Sequence, residues 1–448
     1  MRVAKACRQC RSSKRKCIRS DSHGPCVQCS KRQIPCSGKL KAIRGAQLLP
    51  CHVESPNAQE DDDDGANLPE DIVIELVEHY ISKIHDRPHS LFHLPTLRMS
   101  VRKGAINKAL LLAICAMGSR FSASAEIRKL EHQLTEKSKR LLLADLENIC
   151  LETIQTSVLV ANLCAAIGNS SSEALFFRIS IGMAQIMRLP LVDPGDTVVM
   201  GELKRRIWWT LYMADRWYSS GLDLPRQIID SERSTELPME ESTFRDLSID
   251  QLTLDTPWKP GLWAYMITLV DVFGPIQDLN HRIVQEHVED DEIDRCAYDL
   301  SRKLDAWEKS LPADIILNEE NLQRHKQKSN GGPFVALHLG FHHYSTLLYF
   351  QYLESKGTST STTKMFAERC KYHASSYSAL LKFARENEGF KAVYPTVGHM
   401  AIVSSSVLLH TLLFGDEDKI PSARNSLNAN FEALVELEHY WPSLKSMV

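Results

Sequence analysis

Cys7-Arg8-Gln9-Cys10-Arg11-Ser12-Ser13-Lys14-Arg15-Lys16-Cys17 is followed by Cys26-Val27-Gln28-Cys29-Ser30-Lys31-Arg32-Gln33-Ile34-Pro35-Cys36. The six cysteines read C-x2-C-x6-C-x8-C-x2-C-x6-C, and the second three repeat the spacing of the first three. A C-x2-C pair lets one tight turn aim two thiolates at a single cation, and six intervening residues allow about a turn and a half of helix. Six thiolates exceed one tetrahedral site and fall short of two separate four-sulfur sites. Two Zn²⁺ ions sharing two bridging sulfurs use all six and give each ion four ligands. A single zinc on Cys7, Cys10, Cys26 and Cys29 is the simpler alternative, but it leaves Cys17 and Cys36 idle at matching offsets. An iron–sulfur site also needs only four. A disulfide framework lacks the apolar signal stretch that would precede it. The spacing favours the two-zinc module.

The surroundings of the cysteines indicate what such a module is for. Residues 1–44 carry thirteen lysines and arginines against one acid, Asp21, a formal +12. The whole chain is −3, which leaves −15 on residues 45–448. A basic, metal-stapled head on an otherwise acidic chain points to nucleic-acid binding.

At these residues the chain resembles the fungal binuclear zinc cluster transcription factors, whose signature between the second and third cysteines is C-R-x-R-K-x-K-C. Arg11, Lys14 and Lys16 match it, and Ser13 stands where a basic residue is usual. The resemblance implies that Cys7 and Cys26 bridge, that Cys10 and Cys17 complete one zinc, and that Cys29 and Cys36 complete the other. It also implies a short helix in the major groove of double-stranded DNA, with Lys14 reading a CGG-type triplet. Lysine can donate to guanine O6 and N7, acceptors found together only on guanine. Arg8, Arg11, Arg15, Lys16, Lys31 and Arg32 would then be DNA contacts, chiefly to phosphate. Ser13 motivates the alternative of a zinc-stapled protein-interaction adaptor without DNA binding.

Beyond residue 44 the composition changes to linker, with glycines, prolines and the acidic run 61–64, and no sustained heptads for a coiled coil. From residue 70 to 448 the spacing predicts an all-α domain. Ile72, Leu76, Tyr80 and Ile84 form a helical stripe, and 108–121, 174–189, 203–218 and 334–353 show further apolar faces. At this length, with 43% hydrophobic residues, such a domain can bury its own core. No apolar run is read as long enough to span a membrane, since even 109–118 is broken off by Ser119 and Arg120.

Blocks within the helical region resemble the middle homology domain of the same regulators: 76–97, 109–122, 154–163 and, most closely, 202–216. Residues 183–191 are similar to M-A-x-x-L-G-L-H, with Arg188 and Pro190 in place of Gly and His. The resemblance implies a nuclear regulator of RNA polymerase II transcription, controlling metabolic or secondary-metabolite genes, with transcription machinery or coactivators as partners. It leaves open a homodimer and a small-molecule effector.

Other constellations read as structural. His338 and His342 are four apart with His343 adjacent, but no H-E-x-x-H follows. Trp208, Trp209 and Trp217 read as core, and Arg205, Arg206 and Asp215 as one charge network holding helices in register. Cys51, Cys115, Cys150, Cys164, Cys296 and Cys370 lack metal spacing and read as mostly buried thiols. No G-x-S-x-G, Walker, Rossmann or kinase signature occurs, so no enzyme is expected.

Overall fold

The computed structural model describes residues 26–32, 68–87, 89–189, 191, 193–229, 236–255, 257–285, 288–353 and 361–446. The chain divides into two compact units, 1–49 and 50–448. Of the expected linker, 45–69, only residues 68 and 69 lie within the described residues.

The first unit contributes α1 (Val27–Lys31). The second begins with α2 (Glu70–Lys83), α3 (Leu94–Arg102), α4 (Lys108–Ser119), α5 (Ala125–Lys129), α6 (Glu131–Ala144) and α7 (Leu151–Ala166). Then follow α8 (Ser170–Met187), α9 (Val198–Gly221), α10 (Glu241–Asp246), α11 (Leu262–Gln285) and α12 (Asp290–Ser310). It closes with α13 (Glu319–Gln327), α14 (Gly331–Tyr349), α15 (Ser361–Glu386), α16 (Pro395–Phe414) and α17 (Ile420–Glu438). Among the described residues there is no strand, only the isolated bridges His85–His89 and Met239–Pro260. The described part of this unit is all-α, as the periodicity predicts.

Side chains at the helix starts supply the missing acceptors. Asn107 Oδ1 accepts from the N–H groups of Ala109 (2.9 Å) and Leu110 (3.2 Å) ahead of α4, and Asn318 Oδ1 accepts from Asn321 N–H (2.8 Å) ahead of α13. Each such cap is worth about 1 kcal/mol. The helices pack largely in chain order: α2 on α4, α4 on α6 and α7, α7 on α8, α8 on α9, and α9 on α11. Beyond them α11 meets α14, α14 meets α15, and α15 meets both α16 and α17. One continuous core results, with Phe176, Trp208, Phe334, Phe366 and Trp441 almost wholly buried; each large side chain contributes roughly 1.5–3 kcal/mol.

Two backbone positions govern how closely these helices approach. A Cβ on Gly118 would stand 2.0 Å from the Leu76 carbonyl oxygen, so α2 and α4 touch only because residue 118 has no side chain. At the end of α8 the backbone turns left-handed at Arg188, φ 57°. Leu189 N–H returns to the Ala184 carbonyl (3.0 Å) and Arg188 N–H to that of Gln185 (3.1 Å), a closing motif that normally favours glycine. Arg188 therefore stands in a backbone conformation that a glycine would adopt at least cost.

One helix departs from the sequence reading. Pro395–Phe414 is apolar and long enough to cross a membrane by length and composition, and half of it is buried in the unit. Ser404–Ser405–Ser406, His399 and His410 interrupt the run, which is why 109–118 reads as the longer apolar stretch.

Candidate nucleic-acid interface

Of the predicted metal and DNA residues, Cys26, Cys29, Lys31 and Arg32 lie within the described residues; Cys7, Arg8, Cys10, Arg11, Lys14, Arg15, Lys16, Cys17 and Cys36 lie outside them. Cys26 precedes α1 in extended backbone (φ −66°, ψ 151°), and its carbonyl accepts from Ser30 N–H at 3.0 Å. The second C-x2-C is thus itself the first turn of a helix, rather than a turn that a helix follows. Three residues apart on a 3.6-residue period, the two side chains share one face. Both cysteines are buried, while Ser30, Lys31 and Arg32 are exposed. Two sulfurs gathered on a covered face and two cations on an open one suit a metal-stapled unit that meets an anionic partner. The thiol pair fits half of a zinc site, and Lys31 and Arg32 lie in solvent.

In the helical unit the 202–216 block forms most of α9 and organises two buried polar centres rather than one. Arg206 is fully buried and donates to Glu202 Oε1 (2.8 Å), Ser90 Oγ (3.0 Å) and the Met239 carbonyl (2.6 Å). Glu202 in turn accepts from Met239 N–H at 2.9 Å. Asp86 lies 3.6 Å from Arg206, and Ser90 Oγ donates to it at 2.6 Å. Burial alone would raise the Asp86 carboxyl's pKa, but His85 and Arg206 beside it drive it far below the usual range. Burial likewise works against a charged Arg206, yet Glu202 and Asp86 raise its pKa above the usual value.

Arg205 shares Glu202 with Arg206, as expected, but Asp215 serves a different centre, which corrects the single network expected from sequence. Its carboxylate accepts from Gln227 N–H (3.0 Å), Ile228 N–H (2.9 Å) and Tyr218 O–H (3.0 Å), pinning the chain that leaves α9. Trp208 and Trp209 are buried as expected, and Trp217 Nε1–H donates to the Tyr344 hydroxyl at 2.9 Å. Between the end of α9 and the middle of α11 opens a cleft of about 410 Å³ lined by Arg216, Ser219, Asp223, Arg226, Asp278 and His281. Polar groups meet across its walls, Arg226 pairing with Asp278 at 2.7 Å and His281 Nε2 lying 2.5 Å from an Asp223 carboxylate oxygen. The sequence reading missed this cleft because its two sides lie some fifty residues apart in the chain.

The histidines are core groups. His338 Nε2 meets the Ile315 carbonyl at 3.0 Å, and His342 Nδ1 meets His373 Nδ1 at 3.0 Å. That second bond requires one ring to donate and the other to accept. Burial lowers the pKa of His342 and of His373 to about 3, helped by the neighbouring ring and by Arg369 respectively. Among the described residues no group of three or more His, Cys, Asp or Glu is placed to hold a metal. Cys115, Cys164 and Cys370 are buried, and Cys150 and Cys296 are half-buried; Cys51 lies outside the described residues. Burial pushes the Cys115 thiol up to about 12.

Residues 77–309 match the fungal specific transcription factor domain, more than half of the chain, and the chain belongs to that family. It is 24% identical over 430 residues to an uncharacterized transcriptional regulatory protein of Schizosaccharomyces pombe, covering 84% of this chain and 52% of that protein. It is 21% identical over 470 residues to the Zn(2)-C6 fungal-type transcription factor FTF1c of Fusarium oxysporum f. sp. lycopersici, covering 96% of this chain and 50% of that one. A further relative there, FTF2, is 22% identical over 83% of this chain and 38% of its own length. The chain spans about half the length of the curated relatives it matches. No solved structure matches it.

Proposed function

We propose that this chain is a zinc-dependent, sequence-specific DNA-binding regulator of RNA polymerase II transcription, acting in the nucleus. The observation that carries the reading is the doubled six-cysteine spacing in a +12 segment, joined to a unit of the fungal transcription factor family. The names of the Fusarium relatives, Zn(2)-C6 factors, support it. Cys7, Cys10, Cys17, Cys26, Cys29 and Cys36 would hold two Zn²⁺, which supply a rigid staple for a segment too small to form a core. Lys14 carries base recognition, and Arg8, Arg11, Arg15, Lys16, Lys31 and Arg32 contact the backbone. Residues 70–448 form the regulatory domain, which engages transcription machinery or coactivators. The α9–α11 cleft falls within the size range of small-molecule sites and is its candidate effector site.

Selection of bound sequences from a random duplex pool, using the zinc-loaded full chain, is the deciding experiment. A CGG-type triplet should emerge. Lys14→Ala should then cost about 1–3 kcal/mol on that site and flatten discrimination, whereas Arg15→Ala should weaken all duplexes alike and lower the salt slope by about one. Native mass spectrometry should show two zinc ions per chain, lost on acidification as the thiolates take up protons. Binding that is absent, or indifferent to zinc, overturns the reading.

A further inference from the structure

The segment that leaves α9 is held along α11 by polar side chains. Arg226 Nη2 donates to Asp278 Oδ2 at 2.7 Å, and Gln285 Nε2 donates to Asp223 Oδ2 at 3.2 Å. Asp223 itself has a left-handed backbone, φ 54°. The α11 positions that meet this segment, 274, 278, 281 and 285, recur at intervals of four, three and four, so they share one face of the helix. Gly274 is the buried one among them. A glycine weakens a helix interior, and this one leaves a space that is used. A Cβ there would stand 2.5 Å from Arg226 Nη1, so the guanidinium lies where a side chain would otherwise be.

That guanidinium spends only one of its nitrogens on the protein. Among the described residues, Arg226 Nε and Nη1 bond to no protein group, and neither does Asp278 Oδ1. The Arg226 side chain is 30% exposed and that of Asp278 56%. A donor edge and an acceptor oxygen of opposite charge, clamped to each other, therefore stand open side by side in the cleft.

We propose that the α9–α11 cleft binds a free α-amino acid, its carboxylate on Arg226 and its ammonium on Asp278. The proposal rests on the reading of this cleft as the effector site and names the class of ligand. An α-amino acid carries both charges on one carbon, so its receptor must hold a cation and an anion as neighbours. Arg226 and Asp278 are such neighbours, and guanidinium and carboxylate form strong, two-pronged hydrogen bonds. A simple anion would meet the carboxylates of Asp278 and Asp223, and a simple cation would meet Arg216 and Arg226; like-charge contacts disfavour both. A zwitterion escapes either penalty. The cleft's volume of about 410 Å³ exceeds what the two charged groups fill, and the rest, toward Asp223 and His281, takes the side chain.

Isothermal titration calorimetry of the zinc-loaded full chain against each of the common L-amino acids, without DNA, tests this. At least one should bind. Its N-acetyl derivative and its methyl ester, each lacking one charge, should bind roughly tenfold more weakly or worse. Gly274→Ala drives the guanidinium aside where alanine favours the helix, so the variant should keep its circular dichroism and lose roughly tenfold or more in affinity. Arg226→Gln, at a half-buried position, should lose as much. Asp278→Asn should weaken the amino acid and spare its N-acetyl derivative. The proposal is overturned if no amino acid binds, if a singly charged derivative binds as tightly as its parent, or if binding ignores Gly274→Ala and Arg226→Gln. Duplex binding is scored separately. A chain that binds duplex but no amino acid refutes the ligand alone, whereas one that binds an amino acid but no duplex refutes the regulatory reading and leaves the site standing.

Discussion

α9 and α16 invert what their compositions suggest. α9 contains Glu202, Lys204, Arg205, Arg206, Asp215 and Arg216, yet runs through the interior with most of these groups buried. α16 has no formal charge and leaves leucines and a phenylalanine in solvent. Hydrophobicity alone would exchange their places. α9 can be central because its charges meet partners from other parts of the chain: Lys204 bonds Asp193 and Asp196 at 2.9 and 2.7 Å, Arg206 bonds Ser90 Oγ and the Met239 carbonyl, and Asp215 takes backbone N–H groups. Burial follows satisfied partners, not polarity, and an apolar face without a partner stays outside until one arrives.

The severest break of that comparison is Arg206→Ala. It leaves Glu202, buried at zero exposure, with only Arg205 and Met239 N–H as partners and strips donors from Ser90 Oγ and the Met239 carbonyl. A loss of about 3 kcal/mol is expected in urea unfolding, since each buried polar group left without its partner costs about 1–3 kcal/mol. Arg206→Met combined with Glu202→Leu should recover only part, since Met239 N–H and its carbonyl then both lack side-chain partners. Full recovery would mean that the cost of Arg206→Ala lies in the buried carboxylate it deprives of a partner, and that neither the ion pair nor its backbone contacts is needed to hold Ser90 and Met239 on α9.

The neutral centre in α14 and α15 should answer to pH between about 6.5 and 3. His342 and His373 have folded pKa values near 3 against about 6.5 in the unfolded chain. Between those values the unfolded chain binds more protons, so stability rises with pH. The contribution is complete above about 6.5 and is lost as pH falls toward 3. At pH 5 each such histidine removes about 2 kcal/mol. His342→Phe should flatten the slope of unfolding free energy between pH 6.5 and 5; an unchanged slope would place the proton uptake elsewhere.

Much of this was legible in the sequence where a repeat is local. The stripe from Ile72 to Ile84 and the apolar face of 108–121 became α2 and α4, and 203–218 lies within α9. Partners distant in the chain were not legible. Arg206 and Asp215 look alike as charges in one block, but one answers to residues 86, 90 and 239 and the other to 227 and 228. α16 was passed over because serines broke its run, although those serines bond back to carbonyls of their own helix and interior neighbours: Ser405 Oγ reaches the Ala401 carbonyl at 2.7 Å. The cysteine spacing was the plainest signal in the chain, and its reading as a two-zinc site falls mostly outside the described residues.

Backbone strain supplies a smaller test beside α9. Arg188 closes α8 in a conformation that costs a side-chain-bearing residue about 1 kcal/mol or more, and its φ of 57° suits glycine. Arg188→Gly should therefore stabilise the unit by about 1 kcal/mol, seen as a higher denaturation midpoint at unchanged slope. A destabilised variant would show that the arginine side chain returns more than the strain takes.

Leu413→Ser should give the smallest effect. Leu413 gains little from folding because most of its surface remains in water, so the change should stay within about 0.5 kcal/mol in urea unfolding of a dilute solution. Arg206→Ala, measured beside it, should show the far larger deficit although it removes a charge rather than an apolar group. A large deficit for Leu413→Ser would place its side chain in the core and return α16 to the position its composition suggests.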